Sequence, residues 1–151
     1  MKQGFFSALA ILAATGIAQA EEVKPMNVMF EDGLVSKSLT GVPGDAANGR
    51  KVAMNRKLGN CLACHMNEDM AEQPFHGEVG PALDGAGSRW EEAELRAIVA
   101  NSKQVFEGTI MPGFYVDSGF NRNLEKFEGK SILTAQQVED VVAYLMTLKD
   151  E

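Results

Sequence analysis

Cysteine is nearly missing from this chain. Its 151 residues include two, at positions 61 and 64, which leaves room for one disulfide at most. A zinc centre is as poorly supplied. It needs four ligands, and outside the cysteine motif the chain offers only His76 and carboxylates. Cationic side chains are scarce too: 14 Lys and Arg stand against 21 Asp and Glu, for a net charge of −7. That balance argues against nucleic acid and against an anionic membrane as partners. It is compatible with a basic protein partner, although acid excess is more often a matter of solubility. Long hydrophobic runs are absent. The one apolar stretch, Phe5 to Ala18, is short and rich in small residues, unlike a membrane span of about 20 strongly apolar residues. No internal repeat, low-complexity tract or strand-like alternation is found, so the expected fold is all-α.

What the first residues do contain is an export signal. Lys2 precedes the apolar run, and Ala18-Gln19-Ala20 fits the A-x-A cleavage rule. Residues 1–20 are therefore expected to be a cleaved secretory signal peptide, with an uncleaved anchor as the alternative. The remaining chain, delivered to the periplasm, has the length of one domain. Residues 21–44 read as an irregular N-terminal arm, interrupted by Pro25, Gly33, Gly41, Pro43 and Gly44. A short extended piece is expected at Val28 to Phe30. Residues 45–151 form the domain proper. Asp45 is a good N-cap for a helix from Ala46 to about Leu58, with small residues on one face. Gly49 inside that helix costs about 1 kcal/mol against Ala, which a close approach by another helix would explain. A middle helix, about Glu91 to Ala100, is expected to be opened by a box Ser88-x-x-Glu91 and to bury Leu95, Ile98 and Val99. The last helix runs from a capping box at Thr134 and Gln137 to about Lys149. Its apolar face comprises Val138, Val141, Val142, Leu145 and Leu148, with Tyr144 at the edge.

Between the first two helices lies Cys61-Leu62-Ala63-Cys64-His65. C-x-x-C-H is the attachment signature of a c-type haem. Two thiols at this spacing can both form thioethers to the porphyrin edge, and His65 then lies where it can ligate the iron. A thioredoxin-like pair is the competing reading, but no strand pattern precedes Cys61. With both cysteines used, no thiol remains elsewhere in the chain. The iron also needs a ligand opposite His65, and its identity tunes the potential. Met66 and Met70 follow His65 too closely, Met54 and Met146 lie on helices and read as core, and Met26 and Met29 belong to the arm. Met111 stands in a loop, Thr109-Ile110-Met111-Pro112-Gly113, where non-helical backbone lets its sulfur turn inward. It is the candidate sixth ligand, with His76 as runner-up.

These features resemble class I cytochromes c, in which crossed N- and C-terminal helices enclose one haem. Thr109 to Gly113 is similar to their Met-Pro ligand loop, and Gly80-Pro81-Ala82-Leu83 to their G-P-x-L stretch. That resemblance gives the Pro81 carbonyl the role of accepting a hydrogen bond from His65; otherwise Gly-Pro is simply a turn. Arg89 and Trp90 are candidates to hydrogen-bond a haem propionate. A surface Arg89 and a core Trp90 are the alternative.

The stretches between these landmarks are more specific. Gly77-Glu78-Val79-Gly80-Pro81-Ala82-Leu83-Asp84-Gly85, Ser88-Arg89-Trp90, Gly108-Thr109-Ile110-Met111-Pro112-Gly113-Phe114-Tyr115 and Leu133-Thr134-Ala135-Gln136-Gln137-Val138 resemble the SoxX family. Those proteins are the monohaem subunits of the SoxAX cytochromes of thiosulfate oxidation. The likeness spans nearly all of the chain after the signal; Gly113, where a small residue such as Ala is expected, is a minor departure. The resemblance implies a heterodimer with SoxA. It also implies a complex that couples thiosulfate oxidatively to a cysteine of the carrier SoxYZ, as an L-cysteine S-thiosulfotransferase. In that family the chemistry is placed at SoxA. This chain, with no spare thiol and no acid–base constellation, is expected to have no catalytic residue of its own and to relay electrons to an acceptor cytochrome c. A free-standing periplasmic electron carrier is the alternative. A ligand-binding or peroxidatic haem protein would require an open iron site. Phe114 to Lys130, with Phe114, Tyr115, Phe120 and Phe127, is the candidate partner surface together with the arm.

Overall fold

The computed structural model describes residues 21–150; the expected signal segment lies outside them. Its framework is four α-helices: α1 (Ala46–Met54), α2 (Ala86–Arg89), α3 (Glu92–Asn101) and α4 (Ala135–Leu145). Among the described residues there is no strand. The expected extended piece at Val28 to Phe30 is irregular chain, and a single isolated bridge pairs Glu31 with Leu34.

Helices α1 and α4 cross in close contact, and Gly49 shows how close. A Cβ added there would overlap the Asp140 carbonyl and come within 2.9 Å of the Tyr144 Cβ. Only a residue without a side chain lets the helices approach so far. Asp140 also seals the start of α1. Its carboxylate accepts from the Asp45 amide (2.8 Å) and from Asn48 Nδ2 (2.6 Å), placing negative charge at a helix N-terminus where the dipole favours it. Asp45 caps as expected, accepting from the Ala47 and Asn48 amides. The helix nevertheless stops at Met54, short of Leu58. Asn55 turns out of helical geometry, and the chain folds back so that the Gly59 amide reaches the Val52 carbonyl (3.2 Å).

Helix α4 has its Thr134–Gln137 capping box and buries Val138, Val141, Val142 and Leu145. Tyr144 is buried rather than at an edge. Its hydroxyl accepts from Asn67 Nδ2 (2.7 Å) and donates to Asp69 (2.9 Å), which permits a phenol inside the core. Helix α3 buries Leu95, Ile98 and Val99 as expected, but its box is Glu91 with Glu94. Ser88 belongs instead to α2, and its hydroxyl accepts from the Asp150 amide (2.8 Å). Extended backbone at Trp90 (φ −131°, ψ 141°) separates the two helices.

Residues 21–44 are anchored to the core at a few points. Val35 and Leu39 are buried, and a buried ion pair fastens them. Arg96 of α3 meets Glu139 of α4 (Nε to Oε1, 2.9 Å), donates to the Val35 carbonyl (3.0 Å) and pairs with Glu92. Glu139 accepts from the Leu39 amide (2.7 Å). These neighbouring carboxylates hold the Arg96 guanidinium above its ordinary pKa despite the opposing effect of burial.

The segment from Phe114 to Lys130 divides in two. Phe114 and Tyr115 are core residues, 6% and 3% exposed, which removes them from the expected partner surface. Their amides bond the carbonyls of Val99 and Ala100 at the end of α3, and the Tyr115 hydroxyl donates to the Val23 carbonyl (2.8 Å). Burial and the nearby Glu22 carboxylate push that phenol up to about 12. Phe120, Leu124 and Phe127 remain exposed at 47%, 63% and 49%.

Candidate haem-binding site

The cysteine motif lies on a 3₁₀ turn, Cys61–Ala63, entered through left-handed backbone at Asn60 (φ 48°), a conformation asparagine tolerates better than most residues. The His65 amide closes the turn on the Cys61 carbonyl (3.0 Å). Residues 77–83 then run alongside it. Amides of Gly77, Gly80 and Leu83 donate to the carbonyls of Leu62, Cys64 and Met66 at 2.8–2.9 Å. Gly80 must be glycine, because a Cβ there would collide with the His65 ring, 2.7 Å from its Nδ1. The imidazole is thus packed on bare backbone. Its Nδ1 donates to the Pro81 carbonyl (2.6 Å). A carbonyl can only accept, so the proton is on Nδ1 and the Nε2 lone pair is left available to a metal.

Cys61, Cys64, His65 and Met111 all line one apolar pocket of about 540 Å³, within the usual range of cofactor sites. Leu95, Ile98 and Val99 of α3 and Leu145 of α4 form its inner walls. None of the residues lining it is acidic, although the chain is, whereas Arg56, Lys57 and Arg89 border it. Arg89 is exposed and donates to the carbonyls of Ala82 (2.8 Å) and Asp84. It therefore braces the loop carrying Pro81. Trp90 is half-buried, edge-on to Phe106 with ring centroids 6.0 Å apart. His76 is elsewhere. Its Nδ1 accepts from the Asn67 amide (3.2 Å) and its Nε2 donates to the Met70 carbonyl (3.1 Å), so both ring nitrogens are engaged outside the pocket. Met70 is wholly buried core, and Met66 is exposed.

The donor set fits haem c: two thiols at thioether spacing, one imidazole of fixed tautomer and a thioether in the same pocket. Comparison with known proteins agrees. The family model for cytochrome c matches residues 46–149. The chain belongs to the cytochrome c family. Its cofactor is one covalently bound haem c, and Cys61 and Cys64 fit the attachment motif. Among solved structures, it is similar to a chain of the crystal structure of SoxXA from P. pantotrophus. The two are 48% identical with a TM-score of 0.80, over 85% of this chain and 99% of that one. No curated protein sequence matches it. Among the described residues, no helix is long and apolar enough to cross a membrane.

Two contributions to the site escaped sequence reading. Gly80 was visible only as part of a Gly-Pro motif, without the ring that rests on it. Ser102, whose hydroxyl reaches the Met111 carbonyl, carries no sequence signal beyond a small polar residue at the end of an apolar helix.

Proposed function

We propose that this protein is the monohaem electron-transfer subunit of a periplasmic SoxXA-type complex. In this reading it pairs with a SoxA-type haem subunit, where thiosulfate is joined oxidatively to a SoxYZ-type carrier cysteine, and passes electrons on to an acceptor cytochrome c. The observation that carries it is the 48% identity to a SoxXA chain over nearly the whole of that chain. His65 and Met111 are the proposed axial ligands. The haem supplies one-electron exchange at iron. The protein's part is to hold it and set its surroundings. The Pro81 carbonyl keeps His65 in one tautomer and raises its basicity. Leu95, Ile98, Val99 and Leu145 exclude water from the pocket, which disfavours added charge. With Cys61 and Cys64 committed to the haem, no thiol is left as a nucleophile for sulfur transfer, so the transferase chemistry is assigned to the partner.

The test is gentle purification from periplasmic extract with haem staining. A second haem-bearing subunit at constant stoichiometry, together with thiosulfate-dependent reduction of this haem, is expected. A lone haem protein indifferent to thiosulfate would leave a free-standing carrier and overturn the assignment.

A further inference from the structure

The loop that carries Met111 has almost no hydrogen bonds of its own. After a long contact from the Thr109 amide to the Phe106 carbonyl (3.4 Å), the next backbone–backbone bond donated by a described loop residue is from Phe114 to the Val99 carbonyl (3.3 Å). Residues 110–113 between them make none. Pro112 has no amide to offer, and Ile110 is 77% exposed. The Met111 peptide is held by side chains instead. Its amide donates to Thr109 Oγ1 (3.2 Å), and its carbonyl accepts from Ser102 Oγ (2.8 Å). The first bond is internal to the loop. The second ties the loop to the end of α3.

Ser102 suits that task. Its side chain is fully buried, and it begins a 3₁₀ turn, Ser102–Gln104, directly after α3. Its carbonyl accepts from the Val105 and Phe106 amides (3.1 and 2.8 Å), so its backbone position is set independently of the loop. A hydroxyl has one proton, and the 2.8 Å contact takes it; the Pro112 carbonyl lies farther off at 3.5 Å. Gly113 packs closely beside Asn101, where a Cβ would come within 2.9 Å of Asn101 Oδ1. We infer that Ser102 is a positioning residue for Met111. Its buried hydroxyl clamps the Met111 peptide to α3 and thereby decides how readily the methionine gives up its place on the iron to a competing ligand.

This rests on the proposed assignment of Met111 as axial ligand. An added ligand can take that place only by moving Met111 out, and the clamp opposes the movement. Losing a hydrogen bond while leaving its buried carbonyl partner unpaired shifts such an equilibrium by about tenfold. The experiment titrates imidazole into the ferric, haem-loaded protein and follows the methionine-to-iron charge-transfer band. In Ser102→Ala, imidazole is expected to bind about tenfold more tightly. In Thr109→Val, whose bond is longer and less buried, a smaller gain in the same direction is expected. Each melting temperature is recorded in parallel. Affinity within twofold of wild type in Ser102→Ala, even with a lowered melting temperature, would reduce Ser102 to ordinary packing and overturn the inference. Should Ser102→Ala fail to take up haem, Ser102→Cys, which keeps the side-chain size but offers a far weaker donor, decides by the same criterion. The ligand assignment fails separately: wild type would then show no such band, or Met111→Ala would leave it unchanged.

Discussion

On the His65 side of the pocket the backbone does the holding, while on the Met111 side the backbone is itself held by two hydroxyls. Three amides of residues 77–83 lace the cysteine motif to its neighbour, and the His65 ring is packed on Gly80 and bonded to Pro81. Across the pocket, residues 110–113 lack backbone bonds and depend on Ser102 and Thr109. Each hydrogen bond contributes only about 1 kcal/mol net, but the first set is three bonds between two adjacent backbone segments. The lesson is that a loop can be fixed by a backbone ladder and sterics or by a few side-chain ties, and this fold uses one solution on each side of the pocket.

Substitutions should break this contrast in a graded way. The largest loss of stability is expected from Arg96→Met, which leaves the buried Glu139 carboxylate without its guanidinium. Removing one partner of a buried pair costs about 3–5 kcal/mol, measurable by denaturant unfolding of the haem-loaded protein. Gly80→Ala should come next. The new methyl cannot coexist with the present His65 ring position, and overpacking of this kind costs up to about 3 kcal/mol. The ferric spectrum should reveal disturbed histidine ligation, which Arg96→Met should not cause. Tyr144→Phe should be mildest, at about 1–2 kcal/mol, because it removes one partner from Asn67 and one from Asp69.

That last variant also has a pH signature. Arg50, first, and then the Tyr144 hydroxyl hold the Asp69 carboxyl below its ordinary pKa. A carboxyl lowered in the folded state adds stability above its unfolded value, which is lost as pH falls through the folded one. The gap between wild type and Tyr144→Phe should therefore be full at neutral pH and shrink below about pH 4. A gap independent of pH would show that Asp69 takes no part in it.

Much of this architecture could be read from residue order, because the signals are local. Thr134 with Gln137 and Asp45 before Ala46 announce helix starts through side chains that bond amides two or three residues on. Gly49 announced a helix crossing because nothing else justifies glycine there. Most of the failures are places where a distant residue decides. Ser88 looks like a cap for α3, yet the Asp150 amide takes its hydroxyl. Phe114 and Tyr115 follow a turn-rich loop and look exposed, yet α3 bonds their amides and draws them into the core. Val35 and Leu39 lie in an irregular leader whose burial depends on Arg96 and Glu139, far along the chain. At the site, the cysteine motif was unmistakable by spacing alone, whereas Ser102 could be found only by seeing which carbonyl its hydroxyl meets.

The crossing of α1 with α4 has a consequence in time. The two helices lie far apart in sequence, so their contact closes a loop containing most of the domain. Closing such a loop carries an entropic cost that local turns avoid, and topologies dominated by distant contacts fold slowly. Leu145, which completes one wall of the pocket, arrives only with α4. Until α4 docks, the pocket beside Cys61 and Cys64 lacks that wall.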